Sequence, residues 1–314
     1  MPREFYTATS SEETKKQAGF RKVVEKVSGE IYPDDLEGTD YEDYPQLLAE
    51  FSFEKLHAIL KYLYVKSGLD PKTEFSGLGK DRVGYKVGMD AMANHNQMRN
   101  LIMIDPQRIE KYAQMGFAYG LDSNTIRKLL LFRSLIHEVV HSACMNRVYG
   151  FETLKSGNKK RNRVTAETGL KTSVYDGSHK KTGIKLVQEY FNAFNEGVVD
   201  FVTDELFERY LQTENGIVKE ERERFLDFQF VEANSYKKQK DVFLEIMQYL
   251  AKDSGQETPT VYEAFIRQLL EKGTLNQELL NWMEEVLGKD TYIALKNSDM
   301  EVVYKNLGIT DTHE

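Results

Sequence analysis

The residues best equipped for chemistry are His137, Glu138 and His141, which read His-Glu-Val-Val-His within LLLFRSLIHEVVHSACM. That run predicts a helix, and a spacing of four residues is close to one helical turn, so both imidazoles leave the same face. Two imidazoles a turn apart can hold one zinc ion, and Glu138 beside them can reach a metal-bound water. This is the minimum equipment for hydrolysing an amide bond with zinc. A catalytic zinc takes three protein ligands and keeps a fourth position open, so a third ligand is required. FNEGVVDFVTDELFERYL supplies one: Phe194, Val198, Val199, Val202 and Leu206 recur at helical spacing. On that second helix Glu196 and Asp200 stand one turn apart. Glu196 is placed to complete the site. Asp200 is placed to accept a hydrogen bond from the far nitrogen of a zinc-bound histidine, an arrangement that fixes the ring and raises its basicity.

Other readings compete. Histidine is scarce, 6 residues in 314, and a chain of this composition would show His-Glu-x-x-His by chance in roughly 1 case in 100. The plain alternative is a buried helix whose histidines make ordinary hydrogen bonds. Glu189, seven residues before Glu196, is a second candidate for the third ligand if the helix extends back that far. Cys144, three residues after His141, is on the histidine face as a thiolate ligand or as a small core residue. A metzincin would continue from His141 as His-x-x-Gly-x-x-His, but Cys144 and Arg147 occupy those positions.

The pair HEVVH and NEGVVD resembles the gluzincin clan of zinc metallopeptidases, which includes the thermolysin-like enzymes. The clan carries His-Glu-x-x-His on one helix and Asn-Glu-x-x-x-Asp on the next, and each defined position is present here. The resemblance covers less than half of the chain. It implies that His137, His141 and Glu196 ligate Zn2+, that Glu138 is the general base, and that Asp200 orients His137. It implies a zinc metallopeptidase acting on a peptide or protein substrate. Thermolysin-like enzymes stabilise the oxyanion with a histidine after the third ligand, whereas this chain has only His313 there. Other gluzincins use a tyrosine, for which Tyr210, Tyr236 and Tyr249 are candidates that the sequence does not separate. The alternatives are a non-catalytic, zinc-stabilised helical scaffold and a zinc hydrolase of a non-peptide amide or ester. An intact Glu138 disfavours the scaffold, because a purely structural site has no use for a base.

The elements around the motifs must position them. The sequence predicts a mainly helical α+β fold, with a small antiparallel sheet packed on the zinc-binding helix and a C-terminal helical subdomain. Three regions are expected: an N-terminal helical region over 1–75, a catalytic core over 76–215, and the C-terminal helices over 216–314. In the first, TSSEETKKQAGFRKVVEKVSG and QLLAEFSFEKLHAILKYLYVKSG read as amphipathic helices. In the second, RVGYKVGMDAMA and NLIMID read as two strands joined by the polar turn NHNQMRN. LIMID suits either an open edge that pairs with extended substrate or an ordinary hairpin strand. His57 reads as packing or surface, and His95 and His179 as solvated loop residues.

The active helix is expected to run about 27 residues, from a cap at Asp122 or Ser123 to Gly150. Residues 151–185 read as a connection with strand propensity in TAETGLKTSVY. Its basic run, Lys159, Lys160, Arg161 and Arg163, reads as solvated rather than as a substrate attractor.

Bulk properties bound the rest. Hydrophobic residues make up 40% and charged residues 29%, an ordinary globular balance. A net charge of −8 argues against nucleic acid and anionic membrane as partners. One cysteine rules out an internal disulfide framework and suits a reducing compartment. MPREFYTATSSEETKKQ has no apolar leader core, so a cytoplasmic location is expected by default, with signal-independent export or a removed leader as the alternatives.

Overall fold

The structure is a computed structural model, and it describes residues 40–70, 79–96, 101–144, 146–156, 159–176, 185–212, 219–228, 236–272 and 277–309. The first expected helix, His179 and His313 lie outside the described residues. The mainly helical α+β reading holds. Among the described residues no helix is long and apolar enough to cross a membrane.

Two N-terminal helices come first. They are α1 (Tyr44–Glu50), with a proline in its first turn, and α2 (Phe53–Lys66). Ser52 caps α2 by accepting from the backbone N–H of Lys55. The chain leaves it through Gly68, whose φ of 70° suits a residue without a Cβ.

A three-stranded sheet follows: β1 (Val83–Tyr85), β2 (Ala93–Asn96) and β3 (Leu101–Ile104), in the order β1-β3-β2. β2 and β3 pair antiparallel, whereas β1 and β3 pair parallel, so the sheet is mixed. LIMID therefore forms the central strand rather than an edge. Both its sides are taken, and β2 holds the outer position beside the active helix. His95 falls in β2 and is buried, not solvated.

The next helices are α3 (Pro106–Met115) and α4 (Ser123–Ala143). Asp122 caps α4, its carboxylate accepting from the N–H groups of Asn124 and Thr125. From Leu129 to Ala143 every residue of α4 is buried, as an all-round apolar stretch requires. α4 has 21 residues and stops short of Gly150. Cys144 turns extended, with ψ 145°, and Asn146 begins a strand.

The expected connection is instead a four-stranded antiparallel meander: β4 (Asn146–Ser156), β5 (Lys159–Thr168), β6 (Lys171–Asp176) and β7 (Lys185–Tyr190). Alternating β-branched and aromatic residues in NRVYGFETLKS favour pairing over helix once a partner strand is available. Gly150 sits at a register shift between Tyr149 and Phe151, a bulge in β4 rather than a helix stop. The basic run lies on β5.

The second motif helix is α5 (Asn192–Gln212). The C-terminal part contains α6 (Lys219–Phe228), α7 (Lys237–Ser254), α8 (Thr258–Arg267) continued by a π turn at Gln268–Lys272, α9 (Gln277–Leu287), α10 (Lys289–Lys296) and α11 (Met300–Leu307). α5 lies at the centre, in contact with α2, α4, α7, α10 and β6. One buried apolar cluster runs from Tyr44 through α4 and α5 to Leu307. At Gly197 the approach of α7 is so close that a Cβ would overlap the backbone carbonyl of Gln239.

Candidate metal centre

α4 and α5 present their motif residues to each other. Nε2 of His137 and Nε2 of His141 lie 3.2 Å apart. Glu196 Oε2 is 3.1 Å from Nε2 of His141 and 3.4 Å from Nε2 of His137. Three donor atoms from two helices thus converge on one point, and the cluster could hold a metal ion. All three residues are largely withdrawn from solvent. Neutral imidazole nitrogen and carboxylate oxygen are the donors that zinc and similar ions take.

The other candidates fall elsewhere. α5 begins at Asn192, so Glu189 belongs to β7, where it accepts from Ser173 Oγ at 3.0 Å and pairs with Lys171. Cys144 is buried, and its thiol donates to the Val140 carbonyl at 3.1 Å. His57 packs against Phe53.

The ring of His137 has its back to Asp200 and Thr203. Asp200 Oδ1 lies 3.6 Å from Nδ1, and Thr203 Oγ1 lies 3.4 Å from it. The Thr203 hydroxyl gives its own proton to the Val199 carbonyl at 2.8 Å, so toward His137 its oxygen accepts. Nδ1 therefore faces two acceptors and carries a proton, so Nε2 is the nitrogen turned to the cluster. Tyr236 stacks flat on the His137 ring, with centroids 5.1 Å apart and planes 3° from parallel.

Electrostatics follow from this crowding. Burial opposes charge on His137, but hydrogen bonds to Asp200 and Glu196 and the charges of Glu138 and Glu196 outweigh it and lift its pKa to about 10. Burial opposes ionisation of Glu196 too, yet both histidines hold its carboxyl well below the usual range. A bound cation would take over the role that the His137 proton plays here. Glu138 is buried beside them. Burial raises its pKa, opposed by His137, His141 and a hydrogen bond from the backbone of His95 on β2. Burial and three nearby carboxylates push the Tyr236 hydroxyl upward, so it keeps its proton as a donor.

The three tyrosine candidates now separate. Tyr210 is fully buried, and its hydroxyl accepts from the backbone N–H of Ser52 at 2.7 Å. Tyr249 is partly exposed and donates toward Leu307. Tyr236 is the one at the His137, His141 and Glu196 cluster.

Several partners were not legible in the sequence. Arg133, one turn before His137, donates to Asp200 Oδ1 at 2.6 Å and to Asp204 Oδ1 at 2.9 Å. Lys240 from α7 reaches Asp204 Oδ2 at 2.6 Å. The start of α5 is fastened from three sides. Asn195 Oδ1 accepts from Leu170 N–H in the β5–β6 turn, at 2.8 Å. Phe191, at φ 56°, donates its N–H to the Lys296 carbonyl. Ser298, at φ 62°, accepts from Ala193 N–H at 3.0 Å and so caps α5 from the far end of the chain. Left-handed backbone at two non-glycine residues where α5 begins is strain that the surrounding contacts sustain. The Arg133 spacing on the His137 face was the one signal available beforehand.

Compared with models of protein families, with curated proteins and with solved structures, the chain matches none.

Proposed function

We propose that this chain is a zinc metallopeptidase of the gluzincin type, cleaving peptide bonds in an extended substrate. The observation that carries the reading is the convergence of His137 Nε2, His141 Nε2 and Glu196 Oε2 within 3.4 Å of one another, with Glu138 buried alongside. A structural site needs the first three groups but not the fourth. Bound zinc would polarise the scissile carbonyl and lower the pKa of an attacking water toward neutrality. With the ion bound, Glu138 would take a proton from the water and return it to the leaving amine. The raised pKa of Glu138 suits this exchange, since a base poised nearer neutrality both takes and gives a proton. Tyr236, held protonated, is the donor available to the developing oxyanion. β2 stands at the edge of its sheet and runs beside α4, so it is the strand along which a substrate backbone would align.

The test compares the parent with Glu138→Gln. Both should purify with about one equivalent of zinc, and only the parent should cleave a broad peptide library, in a manner abolished by chelator. Zinc in both and cleavage by neither would favour the scaffold reading. Cleavage confined to small amides or esters would move the activity to the non-peptide class.

A further inference from the structure

Behind the metal cluster is a second group of charges, made by Arg133, Asp200, Asp204 and Lys240. Asp200 is fully buried and Arg133 is 8% exposed, so neither can rely on water for its charge. One guanidinium nitrogen, Nη2, serves both Asp200 Oδ1 and Asp204 Oδ1. Lys240 closes the ring at Asp204 and stands 3.9 Å from Asp200 Oδ2. Two acids and two bases sum to zero, and each position is supplied by α4, α5 or α7.

The oxygen that Arg133 grips is the one that faces His137 Nδ1. Among the described residues Asp200 Oδ2 has no hydrogen-bond partner, and neither has Arg133 Nε. The carboxylate is thus held through Oδ1 alone, by a single strong contact. Its orientation toward His137 depends on that contact.

We propose that Arg133 is a positioning residue for the metal centre, acting on His137 through Asp200. This inference rests on the reading of the cluster as a metal site. Without the guanidinium, Asp200 would be a buried carboxylate whose only other close cation, besides His137 itself, among the described residues is Lys240 at 3.9 Å, free to rotate away from the imidazole. The ring would lose the charged one of its two acceptors at Nδ1 and keep only the Thr203 hydroxyl. Partners of this kind, one step removed from the ion, typically change metal affinity by about 10–100-fold.

The experiment measures zinc affinity by competition with a chromophoric chelator, and the visible absorption of the Co2+-loaded chain, in the full-length protein. Arg133→Met should weaken zinc binding by roughly 10-fold or more and alter the cobalt spectrum. The double variant Arg133→Met with Asp200→Asn should bind no more weakly than Asp200→Asn alone, because both changes break one path. Asp204→Asn removes the other partner of Arg133, leaves the contact to Asp200, and should bind zinc like the parent. If Arg133→Met fails to fold by circular dichroism, Arg133→Lys replaces it. A shorter amine cannot span both carboxylates, so a smaller loss of affinity is expected. A folded Arg133 variant with parental affinity overturns the proposal, as do losses that multiply in the double variant or an equal loss in Asp204→Asn. A parent chain that binds no metal overturns the metal reading along with it, an outcome distinct from the others.

Discussion

Two charged groups stand one helical turn apart where α4 meets α5, the second joined by Lys240 of α7, and they are completed in opposite ways. In the front group His137, His141 and Glu196 crowd their donor atoms within 3.1–3.4 Å, with only an exchangeable proton among them. In the rear group Asp200 and Asp204 face Arg133 and Lys240, cations that ordinary pH does not remove. A buried charge must be compensated. The rear group does so permanently and acts as scaffolding. The front group does so with a proton that a metal can displace. The contrast identifies which of two adjacent acidic positions, Glu196 or Asp200, is built to change its partner.

The largest effect is expected at the residue that belongs to neither group. Glu138→Gln should lower peptide hydrolysis by about 10²–10⁴-fold with zinc content unchanged, as seen by comparing turnover and metal analysis on one sample. Loss of metal together with activity would make Glu138 part of the front group's framework.

The next effect tests the front group itself. His141→Ala removes the donor nearest Glu196 and should abolish stoichiometric zinc retention during dialysis, since two protein ligands do not make a stable catalytic site. Retention by this variant would show that the ion lies elsewhere.

The pH dependence of the metal-free protein sharpens the contrast. The pKa of His137 is raised in the folded state, from an ordinary 6.5 to about 10. Its proton therefore contributes stability that is fully present below about pH 6.5 and is lost as pH climbs toward about 10. The melting temperature of the chelator-treated chain should fall across that window. Saturating zinc should remove this fall, because the ion displaces the proton. A flat metal-free profile would mean that His137 is neutral in the folded chain.

A packing change gives the smallest effect. In Gly197→Ala the new methyl would meet the Gln239 carbonyl and press α7, which carries Lys240, away from α5. Overpacking of this kind costs about 1–3 kcal/mol, measurable by denaturant unfolding. Parental stability would show that α7 yields without cost.

How much was legible beforehand depended on sequence distance. The i, i+4 pairs His137/His141 and Glu196/Asp200 were readable because a helix fixes which residues share a face. The apolar periodicity of α5 and the cap at Asp122 were readable for the same local reason. The end of α4 was misjudged. The run after Ala143 keeps some helical character by composition, and only its pairing with β5 draws it into a strand. His95 looked solvated in a polar stretch, yet pairing of β2 with β3 buries it and turns its backbone toward Glu138.

The sequence alone determined the local geometry: two imidazoles on one helical face, a glutamate and an aspartate on another, and Glu138 between the histidines. Tertiary packing decided that the two faces meet, that Tyr236 rather than Tyr210 or Tyr249 covers His137, and that Arg133 grips Asp200 across 67 positions of chain. The reason is physical. Helical periodicity is set by neighbouring residues along the chain, whereas the closure of a site between two helices depends on side chains distant in sequence, whose contacts no local pattern encodes.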